Sequence, residues 1–124
     1  MMKLIIKNGI ASGDSVYGVF YLEINEKYFP SKDWEDFIVP LVIDWRNITL
    51  QFIKSHKKQE ELLFMDGNYG LKLTKKMHNL EIKCVKKLYS KEEAVVMIVE
   101  IGQNEWLDIL TNALKRCEDL GYIQ

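Results

Sequence analysis

The sequence predicts an α+β fold: a largely antiparallel sheet of about six strands with two main helices packed on one face. Three observations lead there. An apolar stripe with helical spacing runs through residues 31–55, and a second through 104–120. The remaining segments are short, rich in β-branched and aromatic residues, and punctuated by turn residues. The resulting order, strand, strand, helix, four strands, helix, favours antiparallel pairing over a doubly wound parallel sheet.

The first helix organises the chain. Trp34, Phe37, Leu41, Trp45, Ile48 and Phe52 recur at steps of three or four and fall on one stripe, which Ile38, Val42 and Ile53 widen. Pro30 ends what precedes it, and Ser31 or Asp33 can cap the first free N–H groups. Asp33, Glu35 and Asp36 would then lie in the first turn, and Lys54, His56, Lys57 and Lys58 at the far end, both as the helix dipole favours. Pro40 is the difficulty, because a proline in a helix interior costs about 3 kcal/mol. A helix kinked at Pro40, or a short helix leading into a longer one, fits the continuing phase. A buried strand over 37–43 is the rival.

With 124 residues, 48% hydrophobic and 28% charged, the chain reads as one α+β domain, 1–124, able to bury a core without staples. No apolar run reaches the roughly 20 residues that span a bilayer. The opening MMKLIIKNG has too short an apolar stretch and no cleavage site, so a signal peptide is not expected. Cys84 and Cys117 sit at inward-facing positions of a strand and a helix, which suits buried free thiols in a reducing compartment. The expected location is the cytoplasm.

In chain order, Met2–Lys7 alternates weakly and reads as a strand, and Ala11–Ser15 as a loop. Val16–Ile24 is aromatic and β-branched, a strand that Asn25-Glu26 turns back into Lys27–Phe29. After the helix, Ser55–Glu60 is a polar linker. Glu61–Met65 and Tyr69–Lys75 flank Asp66-Gly67-Asn68, a hairpin signal resting on residues that tolerate positive φ. From Asn79 a new strand sets Leu80, Ile82 and Cys84 on one face, with Glu81, Lys83 and Val85 on the other. Ala94–Ile101, AVVMIVEI, is apolar with little alternation, as in a central strand covered on both faces or one at a crowded position. The closing helix buries Trp106, Leu107, Ile109, Leu110, Ala113, Leu114, Cys117 and Leu120. Asn104 can cap it, and Gly121-Tyr122 suits a left-handed end.

Catalytic motifs are absent from the sequence: no phosphate-binding glycine loop, nucleotide fingerprint, zinc-protease helix or paired CxxC. His56, His78, Cys84 and Cys117 match no recurrent metal-site spacing, so no metal and no cofactor is expected. A Cys84–His78 catalytic pair lacks the exposed, electropositive setting of a thiolate. Asp33, Glu35 and Asp36 are explained by the helix dipole without a substrate, and Asp44 and Arg46 as polar-face residues. No catalytic residue is assigned, and the protein is read as not an enzyme.

Charge is unevenly spread. Residues 54–91 hold ten lysines against four acidic residues, +6. Residues 1–53 carry −2 and residues 92–124 carry −5. Lys72, Lys76, Lys83 and Lys87 fall on the outward face if the alternation is right, and they are the candidate partner-binding residues. A solvated lysine face that discourages sheet aggregation is the plainer reading. The stretch has no arginine to accompany those lysines, which argues against nucleic acid as the partner.

Tyr28-Phe29-Pro30, Trp34-Glu35-Asp36-Phe37, Trp45 and Phe64-Met65-Asp66-Gly67-Asn68-Tyr69 together resemble the FP…W-x-DF…W segment and FMDG-x-Y hairpin of a small, mostly uncharacterised bacterial family. The resemblance covers residues 20 to about 120. It implies a relation to immunity-type proteins, the partners of bacterial toxins, and transfers no catalytic residue. Arg46 departs from the family pattern, in which an apolar residue or second tryptophan follows Trp45.

Two readings of function follow. The first is a non-enzymatic cytoplasmic binding protein, an immunity protein that inhibits a toxin by masking its surface; separated basic and acidic regions suit a steered contact. The second is a small ligand-binding or enzymatic domain with a pocket between helix and sheet, lined by Trp34, Trp45 or Trp106.

Overall fold

The structure, a computed structural model, describes residues 1–123. It is α+β, as the sequence indicates, but the strands form two four-stranded antiparallel sheets rather than one sheet of about six strands. Strands pair with their sequence neighbours through short connections, except that the fourth strand returns to pair with the second. Along the chain the first helix lies between the two sets, and no strand pairs across them among the described residues. Two compact units result: Met1–Arg46 with the chain from Asp108 onward, and Asn47–Leu107.

The first unit contains β1 (Met2–Ser12), β2 (Ser15–Ile24), β3 (Lys27–Phe29) and β4 (Glu35–Phe37), with β2 paired to all three others. β1 outruns its expected end, because a bulge between Lys7 and Ile10 lets pairing resume with Tyr17; the expected loop shrinks to Gly13-Asp14. Asn25 and Glu26 turn β2 into β3, as anticipated, and both adopt positive φ. The Phe29–Pro30 peptide bond is cis.

The helix α1 (Ile38–Lys54) starts later than its apolar spacing suggests. Residues 35–37 belong to β4, so Asp33, Glu35 and Asp36 precede the helix and its first turn holds no acidic residue. Asp33 pairs with Lys7 at 3.3 Å. Buried Asp36 accepts from Trp34 Nε1 at 3.1 Å and from the Phe37 N–H at 2.8 Å. Pro40 is the third residue of α1, where backbone N–H groups have no helical partner to lose. It marks the beginning of the helix and neither kinks it nor favours a strand. Ile38, Leu41, Val42 and Trp45 are buried, and Trp45 meets Phe20 edge-on with centroids 5.2 Å apart.

The second unit contains the end of α1, then β5 (Gln59–Leu63), β6 (Tyr69–Lys76), β7 (Asn79–Lys87) and β8 (Glu93–Gly102) in that spatial order, and the start of α2 (Gln103–Asp119). The hairpin expected to pair 61–65 with 69–75 forms, with its strands at Gln59–Leu63 and Tyr69–Lys76, but Asp66 and Gly67 do not take the positive φ expected of the tip. The turn is closed instead by the Tyr69 N–H on Asp66 O at 3.2 Å and the Asn68 N–H on Asp66 Oδ1 at 3.1 Å. Leu62, Leu71, Leu73, Leu80, Ile82 and Cys84 form the buried face, as their alternation requires. Thr49 and Phe52 of α1 and Trp106 of α2 are buried too. Trp106 Nε1 donates to Thr49 Oγ1 at 3.3 Å, and Lys75 Nζ lies 4.7 Å from the Phe52 ring centre.

AVVMIVEI corrects another expectation. Among the described residues β8 pairs with β7 alone and is an edge strand, so its low alternation does not reflect cover on both faces. In the first unit, α2 ends as its sequence suggests. Gly121 adopts φ 75°, with the Tyr122 N–H on Cys117 O at 2.8 Å.

Candidate protein-interaction surface

Strand register decides which side chains share the second sheet's outer face, opposite Leu71, Ile82 and Cys84. Leu71 pairs with Cys84 and Leu73 with Ile82, so Lys72 and Lys83 stand together on the other side, and Lys76 and Lys87 continue that face. The structure therefore brings the four candidate lysines onto one face.

It also brings their counter-charges. Lys72 Nζ pairs with Glu93 of β8, and Lys87 Nζ lies 2.9 Å from Glu61 Oε1 of β5. Lys76 and Lys83 each stand 3.8 Å from the Glu81 carboxylate. With Glu100, which accepts from Asn79 Nδ2 at 3.4 Å, the face holds four glutamates against four lysines. The hydrogen bond to Glu93 pushes the Lys72 ammonium above its usual range, against the opposing effect of desolvation, and Glu61 adds to the rise.

A bare position accounts for the way these chains converge. Gly70 lies between Leu63 on β5 and Val85 on β7, in the row between the Lys72 and Lys87 rows. A Cβ there would sit 3.1 Å from the Leu62 carbonyl oxygen and 3.1 Å from Leu63 Cδ2. Glu61 Oε1 lies 3.6 Å from that Cβ position, and the Lys87–Glu61 and Lys72–Glu93 pairs each run from one side of the Gly70–Val85 row to the other. Val85 is only 1% exposed although it points away from the core. It stands on β7 between the strands that carry Lys72 and Glu93, whose ion pair spans it.

β8 adds an apolar flank. A bulge opposite Cys84 and Val85 inserts an extra residue, and Val95, Val96 and Ile98 are 50%, 53% and 59% exposed. Sequence reasoning missed this flank, and its signal was the pair of glutamates, Glu93 and Glu100, bracketing an otherwise apolar run.

Other candidates lead away from chemistry. Cys84 is fully buried, and burial pushes its thiol up to about 12. Burial likewise raises Cys117 to about 11, only partly offset by Arg116. Neither is a thiolate near neutrality. His56 and His78 are exposed, and no group of three metal-ligating side chains occurs among the described residues. Trp45 and Trp106 are core residues, and half-buried Trp34 is held by Asp36. No helix among the described residues is long and apolar enough to cross a membrane. Comparison with models of known protein families and with curated proteins finds no match.

Proposed function

We propose that the protein is a non-enzymatic cytoplasmic binding protein that covers the surface of a protein partner, in the manner of immunity proteins that neutralise bacterial toxins. The outer face of the second sheet is the contact surface in this reading. Lys72, Lys76, Lys83 and Lys87 supply charged contacts, and Val95, Val96 and Ile98 the desolvated part. The observation that carries it is the adjacency of the two: solvent-exposed branched apolar side chains beside a dense, charge-balanced lattice. Protein interfaces have an apolar centre and a polar rim of this kind. The lattice disfavours nucleic acid, since each lysine already faces a carboxylate that a phosphate would have to displace.

The test is co-expression with the protein encoded immediately upstream in the native genome. A one-to-one complex on size exclusion, with relief of any growth arrest that protein causes, supports the reading. Separate elution of the two proteins overturns this assignment of partner.

A further inference from the structure

We propose that the free edge of β8 accepts an additional strand from a protein partner, an extended apolar segment flanked by lysine or arginine. The proposal rests on the binding-protein reading above and gives it a site and a partner chemistry.

The edge is built to be paired. β8 is ten residues long, and no strand lies on its outer side among the described residues. A row of ladder N–H and C=O groups therefore faces away from β7, and a strand is the structure that satisfies such a row. Protective devices are scarce. β8 contains no lysine, arginine or proline and has only its bulge and the two glutamates, whereas the edge strand β1 carries exposed Lys3 and Lys7. Val95, Val96 and Ile98 offer a branched apolar surface for alternate side chains of an incoming strand.

Charge selects the occupant. Exposed Glu93 and Glu100 bracket the apolar run, and residues 92–107, within the same unit, hold four acidic residues and no basic one. A second copy of β8 is a poor partner. Antiparallel pairing that sets Val95 opposite Ile98 of the other copy also sets Glu93 opposite Glu100, and like charges directly opposite are destabilising. A basic residue opposite Glu100, which is hydrogen-bonded to the neutral Asn79 amide, forms an ion pair in place of that repulsion, and one opposite Glu93 shares the carboxylate with Lys72.

The experiment measures amide hydrogen exchange of the full chain with short synthetic peptides of alternating valine and threonine. One carries lysine at both ends, one glutamate at both ends, and one lysine ends with a central proline. The lysine-ended peptide is expected to slow exchange in β8 about tenfold or more, the glutamate-ended peptide far less, and the proline peptide not at all. A Val96→Lys/Ile98→Lys variant should lose the effect while keeping its circular dichroism; if that variant does not fold, the glutamate and proline peptides on the wild type decide the matter. The proposal is overturned if the lysine-ended peptide leaves β8 unprotected, or if the glutamate-ended one protects it equally. Protection that rises with protein concentration alone also overturns it, since a second copy is then the occupant. Failure of the function reading looks different. A complex with the upstream protein in which β8 still exchanges freely defeats strand addition and leaves that reading standing. Peptide docking without any such complex does the reverse.

Discussion

Gly9 donates its backbone N–H to the Tyr122 hydroxyl at 2.8 Å, and a methyl group on Gly9 would lie 2.4 Å from Tyr122 Cζ. The bulge in β1 and the cap of α2 thus fit together only because residue 9 has no side chain. Tyr122→Phe should cost about 1 kcal/mol, the net worth of one hydrogen bond. Gly9→Ala should cost more, about 1–3 kcal/mol, since the added methyl also meets Val16 Cγ1 at 2.7 Å. Denaturant melts of both variants and the double variant check this. The costs must be non-additive, because the two changes act on one contact.

Two turn glycines should respond oppositely to alanine. Gly67 keeps negative φ with open space around its Cβ position, so Gly67→Ala should be neutral or stabilise by up to about 1 kcal/mol through the unfolded chain. Gly13, equally open, adopts φ 60°, and Gly13→Ala should destabilise by about 1 kcal/mol. Thermal melts compared at one pH decide the pair.

Stability should fall in alkali before it does so through lysine. The Cys84 and Cys117 thiols keep their protons in the fold up to about 12 and about 11, against an ordinary value of 9.0. Between those limits the folded chain binds more protons than the unfolded one, so stability declines as pH rises from about 9. The ceiling for Cys84 is about 4 kcal/mol, at about 1.4 kcal/mol per unit. Lys72, raised above 10.5, adds a loss only at the top of the range, small because the pair is partly exposed. Urea melts from pH 8 to 11 should show the slope, and Cys84→Ala should flatten it while lowering the plateau.

A balanced lattice predicts weak attraction for polyanions. Filter binding with generic duplex and single-stranded DNA and RNA should show no tight, salt-sensitive retention; a steep fall of affinity with log salt would contradict the proposed function. Lys83→Glu, which leaves both the Lys72–Glu93 and Lys87–Glu61 pairs intact, should slow association with a protein partner more than it speeds dissociation. The effect should fade with added salt, since exposed charges are screened beyond about 8 Å at physiological ionic strength.

Trp45→Ala should cost about 3–5 kcal/mol. Its indole is 1% exposed and packed edge-on against Phe20. A melt of the variant matching that of the wild type would contradict this placement.

Periodicity carried most of the local reading. The stripe through Leu41, Trp45 and Phe52, the alternation of Leu80, Ile82 and Cys84, and the Gly121 cap are each decided by residues close in sequence. The misreadings share a cause. Pro40 fits at the start of α1 because β4 takes residues 35–37 into pairing with β2, a partner far earlier in the chain. Whether AVVMIVEI is a central or an edge strand depends on whether another strand lies beyond it, and no property of those residues reports that. The candidate face was legible only in half. Lys72, Lys76, Lys83 and Lys87 share a side by simple alternation, but Glu61 and Glu93 reach them across neighbouring strands, through the register of β5 and β8.

The placing of the indoles gives each sheet its own optical reporter. Trp45 belongs to the unit of β1–β4 and Trp106 to that of β5–β8, and both are shielded from solvent. Emission from each should shift to the red when its own surroundings open. With Trp34→Phe as the common background, Trp106→Phe leaves a probe of the first sheet and Trp45→Phe a probe of the second. The dark interval between two emission transitions, or its absence, then measures how closely the melting of one sheet is tied to that of the other.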